Sequence, residues 1–284
     1  MELLVNEDIN IILMLVGKSI QDFANEIGVG YSTVSRWKEP GETISPVNLE
    51  KIYEYAFDNK IRLNKIKAQL FLEDCKEDHV LLFHSAKTDI TGDISIARSR
   101  KNNDFGQGFY CGDNLEQSAM FVSGYPNSSI YMMDFDKTGM KELRLGVEQD
   151  WMLMIAYFRG RLTSYESHPI IKQVIDRLQG IDYVVAPIAD NRMFQIIDSF
   201  INGEITDVQC RHCLSATDLG KQYVFLTQRA VNNLQILRKC YLASKEKEYY
   251  MVIRNEDVAV GDDKVKIARR QYRGQGKYIE EILA

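Results

Sequence analysis

The pattern of apolar and polar positions divides the chain into a helical N-terminal part and a mixed α/β part. Residues 1–74 contain stretches with apolar side chains on one helical face, as at Leu49, Ile52, Tyr53 and Ala56. From residue 78 onward, short apolar runs alternate with amphipathic stretches, which is typical of strands and helices in succession. We therefore expect an α+β fold with three parts, at 1–74, 78–240 and 241–284.

Helix start and stop signals predict several helices in residues 1–74. Ser19 and Asp22 are typical of a capped helix start, and this helix is expected to end at Gly28. A short turn then precedes a second helix over 31–38. Ser45 followed by Pro46 predicts another helix, because proline is favoured at the first helical position. A helix, a short glycine turn and a second helix form the helix-turn-helix plan.

Strands and helices alternate in the pattern of the central part. Apolar or alternating runs predict strands over 80–84, 108–111, 129–135, 182–187 and 222–227. Amphipathic segments predict helices over 151–158, 170–178, 193–201 and 230–237.

Composition narrows the class of protein. The chain has 284 residues and a net charge of −5, so as a whole it is not a nucleic-acid polycation. No apolar run is long enough to span a bilayer, so no membrane partner is expected. The first eight residues have no basic region before their apolar stretch, so no signal peptide is predicted. Five irregularly spaced cysteines favour reduced thiols and a cytoplasmic protein.

One cysteine pair resembles a metal-binding spacing. Cys210 and Cys213 flank Arg211 and His212. A zinc site needs about four ligands, usually supplied as two separated pairs, and no second pair is present. We therefore predict no metal site.

The stretch from Ile20 to Trp37 resembles the small repressor-like helix-turn-helix domains of bacteria. In such domains the second helix of the pair enters the major groove of DNA. Val34 and Trp37 are expected on the packed face. The alternative is a dimerisation or partner-docking module, because residues 1–74 carry 12 acidic and 8 basic side chains and phosphate neutralisation supplies much of DNA affinity. The predicted DNA-contacting residues are Tyr31, Ser32, Thr33, Ser35, Arg36 and Lys38.

Three further motifs occur in a fixed order. His84 lies in Leu-Leu-Phe-His-Ser-Ala at 81–86. The sequence Asp-Phe-Gly-Gln-Gly-Phe-Tyr at 104–110 is followed by Ser118 and Ala119, and Gln222 begins Gln-Tyr-Val-Phe-Leu-Thr. Together they resemble the ADP-ribosyltransferase superfamily, in particular the diphtheria-toxin and poly(ADP-ribose)-polymerase branch with its His, Tyr and Glu on three strands. They are more similar still to an uncharacterised bacterial family of transferase-like domains. The resemblance covers roughly residues 78–240.

This resemblance implies a split mixed β-sheet that uses NAD as substrate, without a metal. His84 would hydrogen-bond the adenosine-side ribose, and the backbone at Ser85 together with Ser118 would hold the nicotinamide carboxamide. Tyr110 and Phe121 would flank the nicotinamide ring. Implied catalytic residues are His84, Tyr110 and Gln222; implied NAD-binding residues are His84, Ser85, Ala86, Gly108, Phe109, Tyr110, Ser118 and Phe121. Arg98 precedes the glycine turn and is either a further NAD-binding residue, at the pyrophosphate, or a loop charge.

Gln222 stands where the superfamily signature has a glutamate. A neutral amide can hydrogen-bond a ribose hydroxyl but brings no charge, so chain elongation into poly(ADP-ribose) is not expected. Transfer of one ADP-ribose, slow hydrolysis, or binding alone remain compatible. Four other acids are candidates to supply the missing charge: Glu116, Glu142, Glu148 and Glu166.

The resemblance implies an NAD-dependent mono-ADP-ribosyltransferase acting on a protein or nucleic acid. Beside a DNA-binding module, such a domain suggests a toxin of a toxin–antitoxin or phage-defence system, with an antitoxin partner. The alternatives are an NAD glycohydrolase and a non-catalytic regulator that senses NAD or ADP-ribose and binds DNA. The segment 205–221, where the superfamily often recognises its target, does not identify the acceptor. The basic stretch 264–277 is either a phosphate-binding or a solvated face.

Overall fold

A computed structural model describes residues 2–216 and 219–284. The chain divides into two compact units, each assembled from separate stretches. The first unit contains the described residues of 1–91, 118–135 and 235–253. The second contains those of 92–117, 136–234 and 254–284. Thr217 and Asp218 of the predicted target-recognition segment lie outside the described residues.

The first unit begins with five helices. The side chain of Ser19 accepts a hydrogen bond from the backbone of Asp22, and Asp22 completes a capping box, so the predicted start of the second helix is confirmed. Pro46 opens the fourth helix behind a Ser45 cap, which is also as predicted. The helices are α1 (Val5–Val16), α2 (Ile20–Glu26), α3 (Tyr31–Trp37), α4 (Pro46–Asp58) and α5 (Leu63–Glu73).

These helices share one apolar core with residues that follow the last strand. Phe23, Val34 and Ile52 are fully buried, and Ala243 packs in the same cluster. The side-chain amide of Asn64 donates to the backbone oxygen of Tyr241 over 2.9 Å. The helical segment and residues 241–243 therefore belong to one packed structure.

Three strands complete the first unit. They are β1 (His79–Ala86), β3 (Ser129–Asp136) and β7 (Leu234–Cys240), and they neighbour one another in the order β1-β3-β7. Strand β3 is almost wholly buried, which agrees with its apolar sequence.

The second unit contains the other four strands, β2 (Phe109–Gly112), β4 (Glu142–Arg144), β5 (Tyr183–Pro187) and β6 (Lys221–Phe225). Their order is β4-β5-β6-β2. Strand β4 runs parallel to β5, whereas β6 is antiparallel to both β5 and β2. The sheet is therefore mixed, and the predicted α+β class is confirmed. The α-helices between residues 136 and 234 of this unit are α7 (Gln149–Phe158), α8 (Pro169–Asp176), α9 (Asn191–Ile201), α10 (Asp207–Ser215) and α11 (Gln228–Asn232).

Three more helices complete the described structure: α6 (Leu115–Val122), α12 (Ser244–Gln271) and α13 (Ile279–Ile282). Ile279 and Ile282 of α13 join Trp151 and Phe200 in the apolar core of the second unit. Across the described ranges, no helix is both long and apolar enough to cross a bilayer.

One predicted helix, over 230–237, is wrong in most of its length. Helix α11 ends at Asn232, and strand β7 begins at Leu234. The side chain of Thr227 caps α11 at Ala230, so the helix starts earlier than expected and lasts only about one turn. The apolar residues of 230–237 are shared between these two short elements, and a run of this length does not distinguish a helix from a strand.

Candidate functional site

The first group of predicted site residues lies at the end of β1 and on α6, in the first unit. His84, Ser85 and Ala86 are half-buried and follow the buried run Leu81–Phe83. The hydroxyl of Ser85 donates to the backbone oxygen of Ser118 over 2.7 Å. The structure thus brings together Ser85 and Ser118, which were both expected to bind the carboxamide.

Phe121 lies three residues beyond Ser118, one turn further along α6. Its side chain is 59% exposed, which is unusual for a large apolar ring. An exposed ring of this kind is available for stacking on a flat ligand.

The second group lies in the second unit and begins with a glycine turn. Gly106 has φ of +74°, a conformation that favours glycine. A Cβ atom on Gly108 would lie 2.8 Å from the backbone oxygen of Phe225 on β6. Glycine is therefore required at both positions for structural reasons. Gly106 allows the turn, and Gly108 allows the backbone to approach β6 closely.

Tyr110 is anchored to this turn through its hydroxyl. The hydroxyl donates to the backbone oxygen of Gly106 over 2.8 Å and accepts from the backbone N–H of Phe105 over 3.2 Å. Its half-buried ring packs against the core of the second unit. Burial raises the pKa of the Tyr110 phenol, so the hydroxyl stays protonated at neutral pH. The arrangement fixes the ring and does not make Tyr110 a base.

Tyr110 and Gln222 lie on the same face of the sheet. In the antiparallel pairing of β2 and β6, Tyr110 is opposite Val224, and Gly112 is opposite Gln222. Residues opposite each other, and residues two apart on a strand, point to the same side. The second and third motifs are thus neighbours within this unit.

The side chain of Gln222 is buried and its orientation is determined. Its Nε2 donates to Oδ2 of Asp104 over 3.0 Å and to the backbone oxygen of Pro187 over 2.9 Å. Both neighbouring atoms can only accept, because a carboxylate and a carbonyl carry no hydrogen to donate. The nitrogen must therefore face them, and Oε1 is the part of the amide that remains an acceptor.

Asp104 is a residue of the candidate site that is not among the sequence-predicted site residues. Its Oδ1 accepts from Nε of Arg159 over 2.8 Å, and Nη2 of Arg159 also donates to the backbone oxygen of Ala189 over 2.9 Å. The guanidinium stacks on the ring of Phe194 at 4.4 Å. Asp104 is the first residue of the motif that contains Gly106 and Tyr110. Its place in that motif is the sequence signal that could have identified it as a candidate site residue.

Two of the acids considered as sources of charge have other partners. Glu142 accepts from the hydroxyl of Tyr183 and from Arg144, each over 2.7 Å. Glu166 accepts from the hydroxyl of Tyr157 over 3.4 Å. The carboxylate in hydrogen-bond contact with Gln222 is instead that of Asp104.

The remaining predicted NAD-binding residues are Arg98, Gly108 and Phe109. Arg98 is exposed, in a short 3₁₀ helix over Ile96–Arg98. Phe109 opens β2, and its ring lies 6.4 Å from that of Phe225, centroid to centroid. The structure gives Gly108 and Phe109 packing roles at the β2–β6 contact.

The predicted DNA-contacting residues lie on and just after α3, in the first unit. Val34 and Trp37 are buried, as expected for its packed face. Nε of Arg36 forms an ion pair with Glu42 at 3.1 Å. The others are exposed (Tyr31, Ser32, Arg36) or half-buried (Thr33, Ser35, Lys38).

Cys210 and Cys213 are buried in α10. Their thiols donate to the backbone oxygens of Ile196 and Val265, each over 3.7 Å. In the part of the chain that the structure describes, no group of three potential ligands is placed to hold a metal ion. Of the five free cysteines, Cys75 is half-buried and the other four are buried.

A family model described as "Protein of unknown function (DUF3990)" matches residues 80–236. The match covers more than half of the chain and includes all three motifs. No curated protein and no solved structure matches significantly.

Proposed function

The chain belongs to the DUF3990 family of proteins of unknown function, and we propose that it is an NAD-dependent mono-ADP-ribosyltransferase acting on a macromolecule. In this reaction the bond between nicotinamide and ribose breaks, nicotinamide leaves, and a nucleophilic group of the acceptor forms a new bond to the ribose carbon. The acceptor's proton is lost to solvent or to a nearby base.

The observation that carries the proposal is the placement of Tyr110 and Gln222. They lie on one face of paired strands, and their polar atoms bond to the single segment 104–106. An aromatic ring and an amide oxygen held this firmly form a preorganised binding surface. Such a surface suits a ligand with a flat ring and a neighbouring hydroxyl group.

The residues have distinct roles under this proposal. Cleavage of the glycosidic bond builds positive charge on the sugar, as in glycoside hydrolysis. Tyr110 and Phe121 would stack on the nicotinamide, while His84 would hydrogen-bond the adenosine-side ribose. The Ser85 and Ser118 pair would hold the carboxamide. Oε1 of Gln222 would accept a hydrogen bond from the ribose hydroxyl beside the breaking bond.

A neutral amide at position 222 favours transfer of a single ADP-ribose. Repeated transfer needs a group that activates a sugar hydroxyl, and an amide does not take up a proton at neutral pH.

The helix-turn-helix plan of α2 and α3 supports a target near DNA. We further propose that the protein acts in the cytoplasm as a toxin of a toxin–antitoxin or phage-defence system, and that an antitoxin neutralises it.

The test is nicotinamide release from NAD by the purified protein, with His84→Ala and Tyr110→Ala as site variants. His79→Ala is the matched control, because His79 lies on the same strand and hydrogen-bonds Asp134 at 2.7 Å, outside the proposed site. We expect release by wild type and His79→Ala and its loss in both site variants. No release, even with cell lysate as acceptor source, would contradict the proposal and favour a binding module.

A second measurement separates transfer from hydrolysis. NAD labelled in the adenylate moiety is incubated with the protein and lysate, and the label is followed. Label on protein or nucleic acid supports transfer, whereas free ADP-ribose alone identifies an NAD glycohydrolase. Growth arrest on expression without neighbouring genes, absent in His84→Ala, is the expected result for a toxin.

A further inference from the structure

We infer that Asp104, held by Arg159, is a positioning residue that fixes the amide of Gln222 and makes a glutamate unsuitable at position 222. The catalytic meaning of this inference rests on the proposed function. The arrangement of the three side chains does not depend on that function.

The first step concerns the charge at Asp104. Asp104 is buried, with 7% of the residue exposed, and one carboxylate oxygen accepts from Nε of Arg159 over 2.8 Å. Arg159 is itself held by the backbone oxygen of Ala189 and by the ring of Phe194. Asp104 is therefore an ion-paired hydrogen-bond acceptor in a fixed position.

The second step concerns the hydrogen-bond donor that Asp104 and Pro187 require at position 222. The Nε2 atom of Gln222 lies 3.0 Å from Oδ2 of Asp104 and 2.9 Å from the oxygen of Pro187. An ionised glutamate would place an oxygen against both acceptors, and two carboxylates sharing a site repel each other. An amide satisfies both neighbours, whereas a carboxylate satisfies them only when it is protonated.

The third step concerns the function of this network. With both hydrogens of Nε2 directed at Asp104 and Pro187, Oε1 of Gln222 has one orientation, set without any ligand. A preorganised acceptor needs no rearrangement when the ribose hydroxyl binds. Gln222 is thus the residue that this environment requires, and the departure from glutamate follows from Asp104.

The experiment compares Gln222→Glu with Gln222→Glu/Asp104→Asn in the full-length protein. In the double variant, the amide of residue 104 can donate to the new carboxylate and still accept from Arg159. Urea unfolding midpoints are measured at about pH 5 and about pH 8, because a carboxyl group with a raised pKa is neutral at the first and ionised at the second.

We expect the midpoint of Gln222→Glu to fall below that of wild type by more at the higher pH. Adding Asp104→Asn should reduce this pH-dependent loss. If Gln222→Glu is already unfolded without urea at the higher pH, a folded double variant at that pH would equally support the inference. An unchanged pH dependence on adding Asp104→Asn overturns the inference.

Gln107→Glu is the matched control. Nε2 of Gln107 donates to two backbone oxygens, of Ala97 over 3.0 Å and Ser99 over 3.2 Å, and has no carboxylate partner among the described residues. Asp104→Asn should leave the pH dependence of Gln107→Glu unchanged. An equal effect of Asp104→Asn in the Gln107→Glu background would also overturn the inference.

Nicotinamide release by Asp104→Asn tests the positioning role separately. Misdirection of Oε1 should lower kcat by about tenfold, the equivalent of one hydrogen bond, with a smaller change in KM for NAD. An active wild type with unchanged kcat in Asp104→Asn overturns the positioning role and leaves the proposed function intact. An inactive wild type contradicts the proposed function, while the unfolding comparison still tests the network.

Discussion

A Cβ atom on Gly108 would lie only 2.8 Å from the backbone oxygen of Phe225, so the chain passes β6 at a distance that only glycine permits. Gly108 directly precedes strand β2, which carries Tyr110. The position of this tyrosine is therefore coupled to the spacing between the two strands.

Gly108→Ala should destabilise the protein by about 1–3 kcal/mol, because the backbone oxygen of Phe225 cannot move aside as a flexible side chain can. Gly146→Ala is the matched control, since Gly146 lies in the same unit and has open space where its Cβ would be. Urea unfolding measures both variants. Equal stability of the two variants would contradict the close approach.

The variant Tyr110→Phe keeps the ring of Tyr110 and removes its hydroxyl, so it separates the contributions of the two groups. The variant leaves the oxygen of Gly106 and the N–H of Phe105 without their partner, so unfolding free energy should fall by about 1–3 kcal/mol. Nicotinamide release by the folded variant should be retained, whereas Tyr110→Ala abolishes it. Loss of release in a folded Tyr110→Phe would instead assign chemistry to the hydroxyl.

The buried carboxyl group of Glu246 should make the stability of the protein depend on pH. Burial raises its pKa from 4.5 to about 7, against the opposing effect of the charges of Arg62 and Lys67. The folded state then binds this proton more tightly than the unfolded state, so the contribution of Glu246 to the free energy of unfolding is most favourable below about pH 4.5 and is lost as the pH rises to about 7.

Glu246→Gln should cancel this component of the pH dependence. Relative to wild type, the variant should gain stability progressively between about pH 4.5 and 7, by at most about 3 kcal/mol. Unfolding curves at several pH values measure the difference. A constant difference across this range would show that Glu246 has an ordinary pKa.

Arg36 tests whether the helix-turn-helix plan is used for DNA. If α3 contacts phosphates, Arg36→Ala should weaken DNA binding and lower the slope of log affinity against log salt by about 1. Lys18→Ala is a matched control, because Lys18 is also ion-paired, with Glu26 at 2.6 Å, but lies outside α3. Fluorescence anisotropy with labelled duplex provides the affinities. Identical slopes for the two variants would argue against recognition by α3.

Local sequence signals predicted much of the fold. The capping residues Ser19 and Ser45 gave the starts of α2 and α4 because caps act over three or four residues. The error at 230–237 arose where a one-turn helix and a strand adjoin. No local signal distinguishes them, since β7 is defined by a partner about a hundred residues earlier in the chain.

The candidate site was predictable in its motifs but not in its contacts. Sequence order indicated Tyr110 and Gln222, and the structure adds that they share one face of paired strands. The link between Asp104 and Gln222 joins residues 118 positions apart. It depends on the register of β2 and β6, which a single sequence does not specify, so the sequence patterns do not pair Asp104 with Gln222.

The burial of four of the five cysteines has a practical consequence. Burial raises the pKa of the thiols of Cys111, Cys210, Cys213 and Cys240, so each forms the reactive thiolate only rarely at neutral pH. Cys75 is half-buried, between α5 and β1. The unaltered chain thus offers one favoured attachment point for a maleimide dye, outside the proposed site, and no native cysteine needs to be removed before labelling.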